Sequence, residues 1–201
     1  MSAPVIERSH GSEAASPWIQ RWSHLITPSA SILDVACGYG RHIRWFTDRG
    51  HSVVGVDRSP DAINALSDLV ALGRAQTVQA DIENGPWPLM DGPQPRQFDA
   101  VVVTRYLWRP LLTTIVESMK PSGVLLYETF ASGNETVGKP SRPDFLLAPG
   151  ELLQVCMNLR VVAYEDGYSE HPPSFIQRIA AVKFPLAAPA NNTSTPPRFT
   201  L

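Results

Sequence analysis

Three short apolar runs in this 201-residue chain lead to an acidic residue. The first, Ile32-Leu33-Asp34-Val35-Ala36, passes directly into Cys37-Gly38-Tyr39-Gly40-Arg41-His42. Gly38 and Gly40 there would let a ligand approach the backbone with no side chain in the way. The second, Val53-Val54-Gly55-Val56-Asp57, ends on a carboxylate placed to accept both hydroxyls of a ribose. The third ends at Ala80-Asp81-Ile82, an acidic residue followed by an apolar one, which suits the edge and face of an adenine ring. Two glycines in a turn also fit a tight strand-to-helix connection with no ligand; the two later carboxylates are what favour a nucleoside.

A second group of chemically able residues comes later, in Thr104-Arg105-Tyr106-Leu107-Trp108-Arg109-Pro110. Arg105 and Arg109 can clamp an anion through paired N–H donors, with Arg142 closing from a later loop. His171 is the histidine best placed to act as a general base, and it reads as readily as a surface residue in the turn before Pro172-Pro173. Tyr106 and Trp108 form either an aromatic wall or part of the core. Cys37 reads as a small packing residue and not as a nucleophile.

Positioning these groups takes alternating strands and helices. Strands are expected at 31–36, 52–57, 76–80, 98–104, 124–130, 159–165 and 175–184, from their β-branched runs. Helices are expected from Ser16-Pro17, an N-cap followed by proline at the first helical position, and at about 41–49, 60–72, 111–119 and 149–157. The pattern is that of an α/β protein with a Rossmann-like, doubly wound, seven-stranded sheet. The last two strands are joined by a loop too short for a crossover, so the mostly parallel sheet should end in a C-terminal antiparallel hairpin. The long stretch from Ala131 to Ala148 is expected to be a lid or binding element.

Composition narrows the class. A formal charge of -2 without a Lys/Arg block argues against a nucleic-acid backbone as main partner. The basic residues Arg41, Arg44, Arg49 and Arg58 read first as solvated helix charges. Two cysteines without ligand spacing give little support to a disulfide scaffold or a zinc module, and no metal is expected; a reducing cytoplasm fits. No run is long enough to span a membrane, and residues 1–17 hold no apolar stretch of the export type. One domain over 16–185 is expected, between disordered tails at 1–15 and 186–201, in a monomer or homodimer.

The segment Asp34-Val35-Ala36-Cys37-Gly38-Tyr39-Gly40 resembles the first motif of class I S-adenosylmethionine-dependent methyltransferases, acidic-x-Gly-x-Gly-x-Gly, with Ala36 in place of the first glycine. The resemblance runs from about Trp18 to Lys183, and Lys120-Pro121-Ser122-Gly123-Val124-Leu125-Leu126 is similar to the lead-in to that family's fifth strand. It implies S-adenosyl-L-methionine as cofactor. Asp34, Ala36, Gly38 and Gly40 would then surround its amino-acid part, Asp57 and Arg58 its ribose, and Asp81 and Ile82 its adenine. Thr104, Arg105 and Tyr106 would lie beneath the sulfonium. A nicotinamide dinucleotide fits less well, because the third glycine of its fingerprint is missing and Asp34 would repel a pyrophosphate.

Within the family, size, architecture and a histidine before the last strand resemble the small tellurite-resistance methyltransferases. That resemblance implies a small acceptor, such as a soft anion of selenium or tellurium, or a thiol. In-line transfer of a methyl group demands no fixed catalytic residue, so His171, Arg105 and Tyr106 are the catalytic candidates, and Arg105, Arg109, Arg142 and His171 the acceptor-binding ones. Two other functions stay open: a regulatory module that binds the donor without turnover, and a methyltransferase acting on RNA or protein.

Overall fold

In the computed structural model, which describes residues 13–184 and 198–201, the apolar runs become a sheet buried on both faces. Its strands are β1 (Ser31–Val35), β2 (Ser52–Asp57), β3 (Ala75–Gln79), β6 (Phe98–Thr104), β7 (Met119–Phe130), β8 (Arg160–Glu170) and β9 (Pro173–Val182). Between β3 and β6 lies a separate small hairpin, β4 (Met90–Asp91) and β5 (Gln94–Pro95). The order across the main sheet is β3-β2-β1-β6-β7-β9-β8, with β9 alone running against its neighbours. A seven-stranded, doubly wound sheet with a C-terminal antiparallel hairpin is therefore present, as the loop-length argument required.

Strand alternation sorts the core. Leu33 and Val35 enter one apolar cluster and Ile32 the other; Val101 and Val103 are likewise separated from Ala100 and Val102. Both faces need covering, which is why these strands read as unbroken apolar runs. Helices α1 (Pro17–Trp22), α2 (Arg41–Thr47), α3 (Pro60–Asn64) and α4 (Ser67–Ala71) lie early in the chain. From them Trp18, Trp22, Ile43, Phe46 and Leu69 cover the face that holds Ile32. Ile115 of α5 (Leu112–Glu117) and Leu152 of α6 (Glu151–Val155) cover the other. Helix α1 starts as its sequence demands: the Ser16 hydroxyl accepts from Trp18 N at 3.2 Å, and Pro17 follows it. The Trp18 indole then donates to the Ile179 carbonyl of β9 at 3.3 Å.

Strand β8 runs on to Glu170, past the expected end at 165, and two further departures answer to contacts between elements. The helix expected over 60–72 is broken after Asn64, and the break turns Leu66, fully buried, against Gly40. Strand β7 begins at Met119 and not at Val124. Lys120 there donates to Asp99 and Ser31, while Ser122, at φ 65°, donates its amide to the Lys183 carbonyl, so a segment that reads as a helix stop is carried as an irregular strand.

The expected tails at 1–15 and 186–201 lie mostly outside the described residues. Of the described parts, Ala15 is buried, Phe199 packs against the cluster holding Trp22, and the Thr200 carbonyl is 3.0 Å from His24 Nε2. Among the described residues no helix is long and apolar enough to cross a membrane. The strand order reverses between β1 and β6, and in open α/β sheets a ligand crevice opens at the carboxyl ends of the strands at such a point.

Candidate active site

The loop from β1 to α2 is built on left-handed backbone: Ala36 at φ 53°, Gly38 at 52° and Gly40 at 76°. At Gly40 the requirement is double, because an added methyl would also strike the Leu66 side chain. At Gly38 a methyl would meet nothing within 4 Å; it would project into open space, the cradle a ligand needs. Ala36 holds a conformation that glycine adopts without strain.

Asp57, at the end of β2, fastens this loop. Its Oδ2 accepts from Gly38 N at 2.8 Å and its Oδ1 from Ser59 N at 2.8 Å. Ala36, Asp57, Arg58, Asp81, Ile82, Glu83 and Tyr106 line a cavity of about 190 Å³. Asp81 is held by Glu83 N at 3.0 Å, Asn84 N at 3.2 Å and Asn84 Nδ2 at 2.9 Å, bonds that keep its carboxyl below the usual range, the Asn84 side chain first among them. The Tyr106 hydroxyl is buried with no hydrogen-bond partner, and burial pushes its pKa up, so it stays protonated.

Asp34, in β1, is buried, and its Oδ2 has no hydrogen-bond partner among the described residues. Burial pushes its pKa up to about 8, against the opposing pull of Arg41 and with a smaller push from Asp57. An unmet carboxylate oxygen beside a glycine cradle fits the ammonium of an amino-acid ligand. Burial likewise holds Cys37 as the thiol, consistent with a packing role.

A second cavity has a volume of about 200 Å³. It is lined by Arg105, by Glu128, Thr129 and Phe130 from the end of β7, and by Ser169, His171, Pro172, Ser174, Ile176 and Arg178 from the final hairpin. Arg105 directly follows β6, at φ 54° and with its amide on the Glu128 carbonyl at 2.9 Å, a conformation bulky residues rarely hold away from functional sites. Thr104, which ends β6, stands in register with Glu128. Arg178 is bracketed by carboxylates, Glu128 at 2.9 Å and Glu165 at 3.1 Å.

The structure thus brings Ala36, Asp57, Arg58, Asp81, Ile82 and Tyr106 together in the first cavity and Arg105 with His171 in the second, while Asp34, Gly38, Gly40 and Thr104 line neither. It keeps two other arginines apart. Arg109, expected on an acceptor, instead pairs with Glu151 through Nε at 2.8 Å and Nη2 at 2.9 Å, and donates to the carbonyls of Asp144 and Leu146. Those bonds pin the 131–148 stretch, whose ends meet in a parallel bridge between Ala131 and Leu147, so this stretch is packed along the sheet end. Arg142, also expected on the acceptor, is exposed, pairs with Asp144 at 2.8 Å and lines neither cavity.

Arg178, Ser174 and Glu83 went unread in the sequence. Glu83 had a signal, its place two residues after Asp81. Arg178 had none, since its meaning comes from cross-strand register with Glu128 and Glu165.

A protein family described as "Methyltransferase domain" matches residues 32–123. TehB from Haemophilus influenzae superposes with TM-score 0.69 at 19% identity over 86% of this chain, which spans 63% of the TehB chain. A TehB-like methyltransferase from Corynebacterium glutamicum superposes with TM-score 0.60 at 19% identity, covering 86% of this chain and 90% of the other. The glycopeptide N-methyltransferase MtfA, complexed with sinefungin, gives TM-score 0.59 at 18% identity, covering 86% and 94%. At these identities the likeness is one of fold. No curated protein sequence matches.

Proposed function

We propose that this chain is a class I S-adenosylmethionine-dependent methyltransferase, in keeping with the methyltransferase-domain match over residues 32–123, and that it methylates a small, anionic acceptor held between Arg105 and His171. The observation that carries the reading is a pair of cavities lined by adjacent residues after β6, Tyr106 in the one with Asp57 and Asp81, and Arg105 in the one with His171, the first suited to a nucleoside and the second to an acceptor. Small-molecule sites run roughly 300–1,000 Å³, so neither cavity alone holds donor and acceptor together.

When bound, S-adenosylmethionine supplies an electrophilic methyl carbon on a sulfonium. Asp57 and Arg58 would hold its ribose, Asp81 and Ile82 its adenine, and Asp34 its ammonium. Arg105 is the lining cation more open to an anion, because Arg178 sits between glutamates at 2.9 and 3.1 Å whereas the one carboxylate near Arg105 among the described residues, Glu13, stands 3.5 Å away. Tyr106 stays protonated and Glu128 is tied to Arg178, which leaves His171 to take a proton where the acceptor carries one. A 200 Å³ cavity framed by the hairpin favours a small molecule over RNA or protein.

The test begins with calorimetric titration of S-adenosylmethionine, S-adenosylhomocysteine and NADH into the protein and into Asp57→Ala. Micromolar binding of the first two, lost in the variant, is expected. Formation of S-adenosylhomocysteine is then followed with selenite, tellurite, thiols and neutral acceptors. Arg105→Ala should raise KM for the acceptor and His171→Ala should lower kcat. Binding of NADH alone, or turnover confined to neutral acceptors, would overturn this assignment.

A further inference from the structure

At the start of α2, Arg41 is largely buried, with its side chain 16% exposed, and it lies close enough to Arg105 for each guanidinium to repel the other. Among the described residues one carboxylate stands within ion-pair reach of either: Oε2 of Glu13, 3.5 Å from Nη1 of Arg41 and 3.5 Å from Nη1 of Arg105. A well-made charge-assisted bond is roughly 2.7–2.9 Å. A single oxygen stretched between two guanidiniums is therefore a loose occupant of a site that could hold both oxygens of an oxyanion.

The position is set by the fold and not by chance contact of surface chains. Arg41 opens α2 directly after the Gly38–Gly40 turn, and the charges of Asp34 and Glu128 both act on it. The next residue, His42, accepts from Ser16 N at 3.2 Å and anchors the N-terminal segment three residues beyond Glu13. Successive residues of α2 thus grip that segment, one through the backbone and one through the Glu13 carboxylate.

We propose that Arg41 and Arg105 form an oxyanion clamp in which Glu13 is a built-in competitor, displaced when a carboxylate or similar oxyanion binds. The inference rests on the methyltransferase reading and adds to it Arg41 and Glu13, neither of which the cavity linings contain. Two ligands offer the required chemistry: the α-carboxylate of the donor's methionine part, and an anionic acceptor.

The test compares the full-length protein with Glu13→Gln, Arg41→Gln and Arg41→Lys by calorimetry at low ionic strength, after urea melts show that each is folded. Three probes are titrated: S-adenosylhomocysteine, 5′-methylthioadenosine, which keeps the nucleoside and lacks the amino acid, and selenite, with and without S-adenosylhomocysteine. Glu13→Gln should tighten the oxyanion ligand by about threefold to tenfold, and Arg41→Gln should weaken it by about tenfold or more, with Arg41→Lys between. Methylthioadenosine should bind all four proteins alike. A shift in S-adenosylhomocysteine assigns the clamp to the donor carboxylate; a shift in selenite assigns it to the acceptor. The inference is overturned if neither ligand responds to the variants, or if methylthioadenosine weakens in parallel. Should the unaltered protein bind no nucleoside, the methyltransferase reading fails, while selenite alone still decides the clamp.

Discussion

Asp34 enters any binding event as a neutral acid, since burial holds its pKa at about 8. A cation arriving beside it favours the carboxylate, so the donor's ammonium should expel a proton. At pH 7, S-adenosylhomocysteine binding is expected to release close to one proton, read from the dependence of calorimetric enthalpy on buffer ionisation. Release should vanish in Asp34→Asn and fade above pH 9. In the ligand-free protein the same raised pKa stabilises the fold below the ordinary value of 3.8, and that contribution is lost as pH rises through about 8. Ala36 offers a second test: Ala36→Gly should raise stability by up to about 1 kcal/mol by removing left-handed strain, offset in part by glycine's unfolded-state entropy, and a urea midpoint reads it. Asp34, Asp57 and Asp81 could be singled out in the sequence because each stands at or close to a strand end, which apolar periodicity reveals. Glu13, Arg41 and Arg178 act through partners distant in the chain, and one sequence carries no record of such distances.

Among elements, the N-terminal segment is held to α2 by a neutral imidazole. Burial brings the His42 pKa down to about 3, helped by Arg41 and Arg105, and Nε2 accepts the Ser16 amide. A depressed histidine pKa contributes stability above the unfolded value of 6.5 that is lost as pH falls toward about 3. Acid unfolding should therefore begin higher in the parent than in His42→Gln, whose amide keeps an acceptor without titrating; matching pH profiles would refute the assignment. The 131–148 stretch owes its position to Arg109. Arg109→Met should leave it open to limited proteolysis while affinity for S-adenosylhomocysteine is unchanged, because Arg109 lines neither cavity. Element types were legible because a buried sheet writes long apolar runs and a hairpin a short link. The break after Asn64 was not, because it answers to Leu66 seating against Gly40, a contact between separate elements.

Across the whole molecule, stability and binding sit at opposite ends of the sheet. At the amino ends of the central strands, Lys120 Nζ meets Asp99 at 2.9 Å and Ser31 at 3.2 Å. Burial works against the Asp99 charge, yet the bonds from Ser31 and Lys120 outweigh it and bring its pKa down to about 2. Lys120→Met should cost about 1 kcal/mol, as a partly exposed pair does, and leave donor affinity untouched, which a urea melt beside a titration decides. The two cavities also divide along the polypeptide. The donor cavity draws its lining from positions 36–106, inside the segment that matches the methyltransferase family. All of the acceptor cavity except Arg105 comes from positions 128–178, past the end of that segment. On the proposed roles, the segment after Phe130 is a separable specificity unit: a chimera that exchanges it should change the acceptor and keep the affinity for S-adenosylhomocysteine, which calorimetry beside an acceptor screen decides.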